Sequence, residues 1–410
     1  MNRRNLMTMT VSVMVLAAAF SICGCSTSGD GEYYDKMAAE ESSSELTDSP
    51  APDDEPGGSG NSHAGVVTAG EWNDLNHWAF WSALMLGNDY GDKSEYWQFY
   101  TNNRVAVEVA DYDGNALVGA TVKLLRQSEG RETTLWETVT DNHGKADCWV
   151  GLHQKEEANA ASLAISINDE IMEGHPAVCQ WDSLAQQTTV NRYVVAASMA
   201  EQQADIAFIV DATGSMGDEI EFLKDDLEDI INKTASLRPT VKMRTAALFY
   251  RDEDDEYLTR HQDFTDNLKQ TASFVGNQRA DGGGDYPEAV HSALDGMLQK
   301  LSWNTRARTR IAFLLLDAPA HHEDAIIASL QKSVTLCAKM GIRIIPVAAS
   351  GVDKNTEFML RFFASVTGGT YVFLTDDSGV GGSHLKASVG EYKVELLNNL
   401  LIRLISYYTE

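Results

Sequence analysis

The chain has 410 residues, 43% of them hydrophobic, and a formal net charge of −28. That length supports two domains or more with ample core. The acidic balance argues against nucleic-acid binding through a basic face, so no nucleic-acid partner is expected.

Arg3 and Arg4 precede an apolar run from Leu6 to Ile22 that ends in small residues, the pattern of a secretory signal over residues 1–24. The run is short for a membrane-spanning helix and lacks a following stop-transfer pattern. Its end, Ile22-Cys23-Gly24-Cys25, resembles a bacterial lipobox, which implies cleavage before Cys25 and lipid on its sulfur. Cys23 fits that role less well, because bulky Ile22 would occupy the cleavage position. Ser26, in place of an aspartate that retains lipoproteins at an inner membrane, leans toward an outer-membrane location in the bacterial cell envelope. Residues 25–65 are rich in Ser, Gly, Asp, Glu and Pro, with Lys36 their only lysine or arginine. Such a stretch cannot bury enough surface to offset chain entropy and reads as a disordered acidic tether.

Residues 66–200 read as an aromatic cap followed by a β module. Trp78, Trp81 and Met85 share helical spacing, which suits a cap packed on the next domain, while exposed faces would suit sugars. Alternating or β-branched runs at 104–109 and 118–125 flank Asp111-Tyr-Asp113-Gly114, a hairpin signal. Asp141-Asn-His-Gly144 is a second turn of that kind, and further strands are predicted at 161–167 and 193–197. Short strands with such turns predict an antiparallel β-sandwich. The motifs resemble Ig-like carboxypeptidase-regulatory or Cna-B type modules. Cys148 and Cys179 are able to pair in an oxidising compartment, and Cys337 reads as a buried apolar filler.

Residues 201–410 alternate strands and helices, the pattern of a mostly parallel α/β sheet with helices on both faces. Strands 242–250 and 257–265, joined by the acidic stretch 251–256, form a hairpin and hence an antiparallel edge. Helices near 266–277, 287–301, 323–340, 356–367 and 392–408 alternate with strands 310–316, 342–348 and 371–374, with Gly341 and Gly368 at helix C-caps. The buried run Ile206-Ala-Phe-Ile-Val210 meets Asp211-Ala-Thr213-Gly-Ser215 and then the amphipathic series Ile220, Leu223, Leu227. One carboxylate and two hydroxyls at alternate turn positions, with no Lys, suit a hard divalent cation. A phosphate-binding G-x-x-x-x-G-K-[ST] loop is absent.

Asp211-x-Thr213-x-Ser215 resembles the metal-ion-dependent adhesion site (MIDAS) of von Willebrand factor type A (vWA) domains, with Thr in the middle place. Gly282-Gly-Gly-Asp285-Tyr-Pro-Glu288 and Phe313-Leu-Leu-Leu-Asp317 follow in the expected order. The resemblance implies a Rossmann-like fold and an ion, Mg²⁺ or Ca²⁺ with Mn²⁺ as a further candidate, held by Asp211, Thr213, Ser215, Asp285 and Asp317. It implies a protein partner offering an acidic residue to the metal, in adhesion or envelope assembly. Three carboxylates around a 2+ ion leave negative charge, so the ion is expected to be partly structural and partner capture weaker than in adhesion receptors. Glu288 reads instead as a first-turn helix acid. His321-His322-Glu323 lacks H-E-x-x-H spacing and reads as a loop rim. No acid–base–nucleophile set supports an enzyme. The alternative function is carbohydrate or cell-wall binding through the cap and sandwich, with the vWA domain as scaffold.

Overall fold

The computed structural model describes residues 67–128, 130–182, 187–197, 199–376 and 384–410. The signal segment, Cys25 and the tether lie outside the described residues. No helix among the described residues is long and apolar enough to cross a membrane.

The first elements are β1 (Thr68–Trp72), α1 (Trp78–Leu86) and α2 (Asn88–Trp97). The β module follows: β2 (Arg104–Ala110), β3 (Thr121–Ser128), β4 (Arg131–Val139), β5 (Lys145–Trp149), β6 (Leu163–Ile167), β7 (Glu170–Ile171), β8 (Trp181–Asp182), β9 (Gln187–Thr188) and β10 (Asn191–Val194). Its strands form one sheet ordered β10-β2-β5 and another ordered β4-β3-β6-β7, with β8 and β9 paired apart from both. Most pairs are antiparallel as expected, but β10 runs parallel to β2.

The two Asp-Gly turns form locally as their residues dictate. Asp111 Oδ1 accepts from the N–H of Asp113 (2.9 Å) and Asn115 (2.8 Å), and Asp141 Oδ1 from His143 (2.9 Å) and Lys145 (2.8 Å). The first closes a short antiparallel bridge, Ala110 to Ala116, but neither turn pairs the two long strands that flank it. Each carries the chain from one sheet to the other, β2 to β3 and β4 to β5. The second turn lies so close to the first strand that a Cβ on Gly144 would meet Val109 O at 2.3 Å. Tertiary packing, not the turn residues, decides the strand partners here.

The α/β half contains β11 (Glu201–Asp211), α3 (Gly217–Leu237), β12 (Lys242–Tyr250), β13 (Thr259–Thr265), α4 (Leu268–Gly276), α5 (Val290–Lys300), β14 (Ala307–Leu316), α6 (Asp324–Met340), β15 (Ile342–Ala348), α7 (Lys354–Thr367), β16 (Tyr371–Leu374), β17 (Glu395–Leu396) and α8 (Leu397–Tyr408). The eight-stranded sheet is ordered β13-β12-β11-β14-β15-β16-β1-β17. Five parallel strands, β12 to β16 in that order, carry antiparallel β13 at one edge and β1 with β17 at the other. Residues 204–211 of β11 are all buried, as a continuous apolar run covered on both faces requires. Ile206, Phe208 and Val210 pack with α3 and α8; Ala207 and Ile209 join the opposite core with α5, α6 and α7. Burial of each such Ile or Leu contributes about 1.5–3 kcal/mol.

Gly341 (φ 65°) and Gly368 (φ 72°) end α6 and α7 in the left-handed region, and Asp353 caps α7 by accepting from Thr356 N at 2.7 Å. α5 begins at Val290, later than the proline suggested. Glu288 N donates to Pro319 O (2.9 Å) and Glu288 bridges Ala320, so the backbone there is extended. α8 likewise starts at Leu397, because Glu395–Leu396 pairs with β1.

The strand β1, grouped with the cap by sequence, is part of the α/β sheet, with Ala69 opposite Leu374 and Trp72 opposite Tyr371. The cap's rings are buried against α7: Phe99 stacks on Phe362 at 4.0 Å and Trp81 on Phe358 at 6.1 Å. Trp78, Trp81, Trp97 and Phe99 are nearly inaccessible, so these four rings present no open platform for a sugar. Beneath them Arg361 reaches both carboxylate oxygens of Asp74 at 2.9 and 2.6 Å, the hydroxyl of Tyr90 at 3.0 Å and Ser388 O at 2.7 Å. This buried pair ties the N-terminal segment to α7.

Candidate metal centre

In sheet order β11 lies between β12 and β14, so the loops after it diverge to opposite sides and leave a crevice at the carboxyl ends. Asp211 and Asp317 emerge there from adjacent strands. Asp211 is 0% exposed; its Oδ1 accepts from Thr213 N (2.9 Å) and Thr213 Oγ1 (2.8 Å), while Oδ2 has no hydrogen-bond partner. Asp317, 6% exposed, leaves Oδ1 without a partner.

The second loop folds down on the first. Asp281 N donates to Ala212 O (3.0 Å) and Gly214 N to Gly282 O (3.2 Å). Gly282 and Gly283 hold φ of +80° and +74°, and a Cβ on Gly283 would stand 3.2 Å from both Thr213 Cβ and Glu288 Oε1. Glycine here is a packing requirement as well as a conformational one. The acidic tip 251–256 is not merely solvated: Asp255 accepts from Gly283 N (3.0 Å), and Arg251 donates to Ala212 O (3.1 Å) and Arg279 O (3.0 Å). That brace fixes the floor of the crevice.

Glu288 is the residue that sequence reasoning misplaced. It is 4% exposed, lies outside α5, and its Oε2 is unpartnered. Its signal was faint: a lone acid in Pro-Glu-Ala-Val, ahead of an apolar helix. Asp285 and Ser215, by contrast, are exposed, and together with Glu288 and Asp317 they line an open cleft of about 460 Å³. Thr213 is buried, its hydroxyl donated to Asp211. The structure therefore gathers Asp211, Thr213, Asp317 and Glu288 in the wall of the crevice, with Ser215 and Asp285 at its rim.

Electrostatics single out the same groups. Burial, reinforced by the charge of Asp317, pushes Asp211 up to about 7, partly offset by the Thr213 hydrogen bonds. Burial and then the charges of Asp211, Asp252 and Asp317 push Glu288 up to about 9. Asp317 is raised by burial and held back by Ser215. The Tyr250 hydroxyl is driven well above its ordinary value by burial and by Asp211, Asp317 and Glu288. Buried carboxyls crowded this way are destabilised as anions unless a cation joins them. Among the described residues no three His, Cys, Asp or Glu side chains close into a metal cage by themselves. An ion here would draw on hydroxyls and water as well, the ligation preferred by hard cations. Three unpartnered buried oxygens, Asp211 Oδ2, Glu288 Oε2 and Asp317 Oδ1, fit that demand.

His321 Nε2 meets Asp252 Oδ1 at 2.8 Å, and His322 stacks on Tyr96 at 3.5 Å. Cys148, Cys179 and Cys337 are buried and free.

A mostly parallel α/β sheet with an acid-and-hydroxyl turn at its switch strand defines a class, and residues 205–374 match the von Willebrand factor A domain family model. That segment of the chain is a vWA domain. Among curated proteins, the chain is 33% identical over 119 residues to an ariadne-like RING finger protein of Acanthamoeba polyphaga mimivirus, covering 29% of this chain and 11% of that one. It is 30% identical over 124 residues to the alpha-protein kinase vwkA of Dictyostelium discoideum, covering 30% and 19%. The chain thus matches less than a fifth of the length of either relative. Similar solved structures include proximal thread matrix protein 1 of the mussel byssus with a zinc-occupied MIDAS motif, at 14% identity and TM-score 0.36, covering 52% of this chain and 47% of that one. BatB from Bacteroides thetaiotaomicron is similar at 13% identity and TM-score 0.33, covering 50% and 98%.

Proposed function

We propose that this chain is a non-enzymatic envelope protein that binds a protein partner through a divalent cation at the crevice of its vWA domain. The observation that carries the reading is that Asp211, Glu288 and Asp317, whose charges act on one another, each keep a buried carboxylate oxygen without a hydrogen-bond partner. Asp211, Thr213, Ser215 and Asp317 would hold the ion, with Glu288 as the second-loop acid in the wall and Asp285 at the rim. Mg²⁺ or Ca²⁺ suits these oxygen donors. When bound, the cation supplies positive charge that the folded carboxyls lack. Thr213 fixes one Asp211 oxygen by two hydrogen bonds and leaves the other without one.

The partner offers an acidic side chain to the ion against a field set by Asp218, Glu219, Asp285, Glu288 and Asp317, with no lysine or arginine among the described residues that line the cleft. Capture is therefore modest, and the ion is structural as well as adhesive. The β module, in this reading an Ig-like sandwich, acts as a spacer or docking unit between the vWA domain and a lipid anchor on Cys25 at the outer membrane.

The test is titration of Mg²⁺, Ca²⁺ and Mn²⁺ into the purified protein, read by calorimetry and thermal unfolding. Saturable binding that raises the unfolding temperature, by about 2.7 kcal/mol of stability at a hundredfold excess over Kd, is expected and should vanish in Asp211→Ala. A folded protein that takes up no ion would overturn the reading.

A further inference from the structure

A second cavity, of about 410 Å³, lies where the β module meets the amino-terminal end of the α/β sheet. Its volume is in the range of small-molecule sites. Arg343, at the second position of β15, lines it and is only 4% exposed. One arm of that guanidinium, Nη1, donates to Gly341 O at 3.0 Å and so balances the carboxyl terminus of α6. Its Nε has no partner. The same nitrogen lies beside Gly368, another lining residue, where a Cβ would stand 3.9 Å from it. A buried guanidinium nitrogen left unpaired in a polar cavity points to an acceptor there.

The other charges in the cavity are already committed. Arg104 pairs with Asp147 at 2.6 Å, and Arg192 with Glu108 at 2.9 Å. Asp141, whose Oδ1 accepts from two backbone N–H groups, keeps its negative charge in the wall, which leaves the lining a net charge of +1 from four cations and three carboxylates. Among the described residues, Arg343 and Lys145 are the two lining cations with no carboxylate in ion-pair contact. In a chain of net charge −28, surplus positive charge in a cavity is against the grain of the composition. Aromatic surface from Tyr407 and from Trp181, which is 43% exposed, completes the wall.

We propose that this cavity binds a small organic carboxylate, with the guanidinium of Arg343, which lines it, and Lys145 on the side of the β module supplying the positive charge that attracts it. A guanidinium is a favoured partner of a carboxylate. Because the lining comes from both modules, the ligand clamps them together, and this site is separate from the metal crevice at the opposite end of the sheet strands.

The experiment is calorimetric titration of succinate and acetate into the full protein in metal-free buffer, with inorganic phosphate and glycerol as competing probes. Saturable succinate binding with a raised unfolding temperature is expected. Arg343→Met should weaken it at least about tenfold, the loss typical of a charge-assisted hydrogen bond. Lys145→Met should weaken it by about threefold, as for a partly exposed ion pair. Should Arg343→Met fail to fold, Arg343→Lys, which keeps the charge and loses the guanidinium, must still weaken binding. Absence of succinate binding by the folded protein, tighter binding of phosphate than of carboxylates, or affinity untouched by these substitutions would each overturn the proposal.

Discussion

The buried charges around Arg361 and those around Asp211 are built on opposite principles. Around Arg361 the carboxylate of Asp74 is met by two guanidinium nitrogens, and Glu357 is met by Lys354 Nζ at 2.7 Å and by Ser388 N and Oγ at 2.5 and 3.1 Å. Around Asp211 the charges of three carboxyls act on one another, each with an oxygen unpartnered, and among the described residues no lysine or arginine lines the cleft beside them. The first cluster is closed: every charge has its counter-charge within the chain, and it fastens the N-terminal segment to α7. The second is open and needs something from outside. Burial alone does not separate architecture from a binding site; completion of the hydrogen bonds does.

Arg361→Met is the most severe way to break this comparison. It strands Asp74 in the core and should cost about 3–5 kcal/mol, as read by urea denaturation, with no relief from Mg²⁺. A loss that Mg²⁺ restores would mean that the two clusters are not independent.

Proton uptake sharpens the contrast next. Asp211 and Glu288 have folded-state pKa values raised to about 7 and about 9, above the ordinary carboxyl values near 4. The folded state therefore holds protons that the unfolded chain has released. Their contribution to stability is fully present below about pH 4 and is lost as pH rises through about 7 and then 9. Without metal, the urea midpoint should fall across that window. Saturating Mg²⁺ should flatten the fall, and metal affinity should rise with pH as the ion displaces protons. A metal-free midpoint that climbs between pH 5 and 9 would contradict the crowded-carboxyl account.

The smallest effects belong to the rim. Ser215→Ala is expected to lower metal affinity by about tenfold while leaving the metal-free unfolding temperature unchanged, because Ser215 is exposed. Asp285→Asn should do less to affinity than Glu288→Gln, since Asp285 is at the exposed rim and Glu288 in the buried wall. The reverse order in calorimetry would restore Asp285 as the principal second-loop acid.

Legibility in the sequence followed the range of the interactions. β15 and β16 were readable to the residue, because β-branched apolar runs are bounded by Gly341 and by Gly368-Gly369. The Asp211 turn was readable because strand, acid, hydroxyls and helix are contiguous. β1 was not: Thr-Ala-Gly-Glu-Trp carries no strand pattern of its own, and its partners Leu374 and Leu396 are some three hundred positions away. Glu288 was hidden for a different reason. A lone acid before a helix ordinarily serves the helix dipole, and only the bridge to Ala320 shows that the helix has not begun. The Asp-Gly turns were legible as turns, and the first closes the short bridge from Ala110 to Ala116, but the long flanking strands chose longer-range partners.

The position of β1 bears on any attempt to work with the vWA segment alone. A fragment cut at residues 205–374 ends with β16, whose four residues Tyr371–Leu374 pair on one side with β1 in the full chain. Excision strips that side and leaves a row of bare amides and carbonyls on an apolar strand. Such a fragment is primed to recruit a strand from elsewhere, from a neighbouring copy or an added peptide. The N-terminal strand thus acts as a built-in guard against self-association, donated from a part of the chain that the family boundary omits.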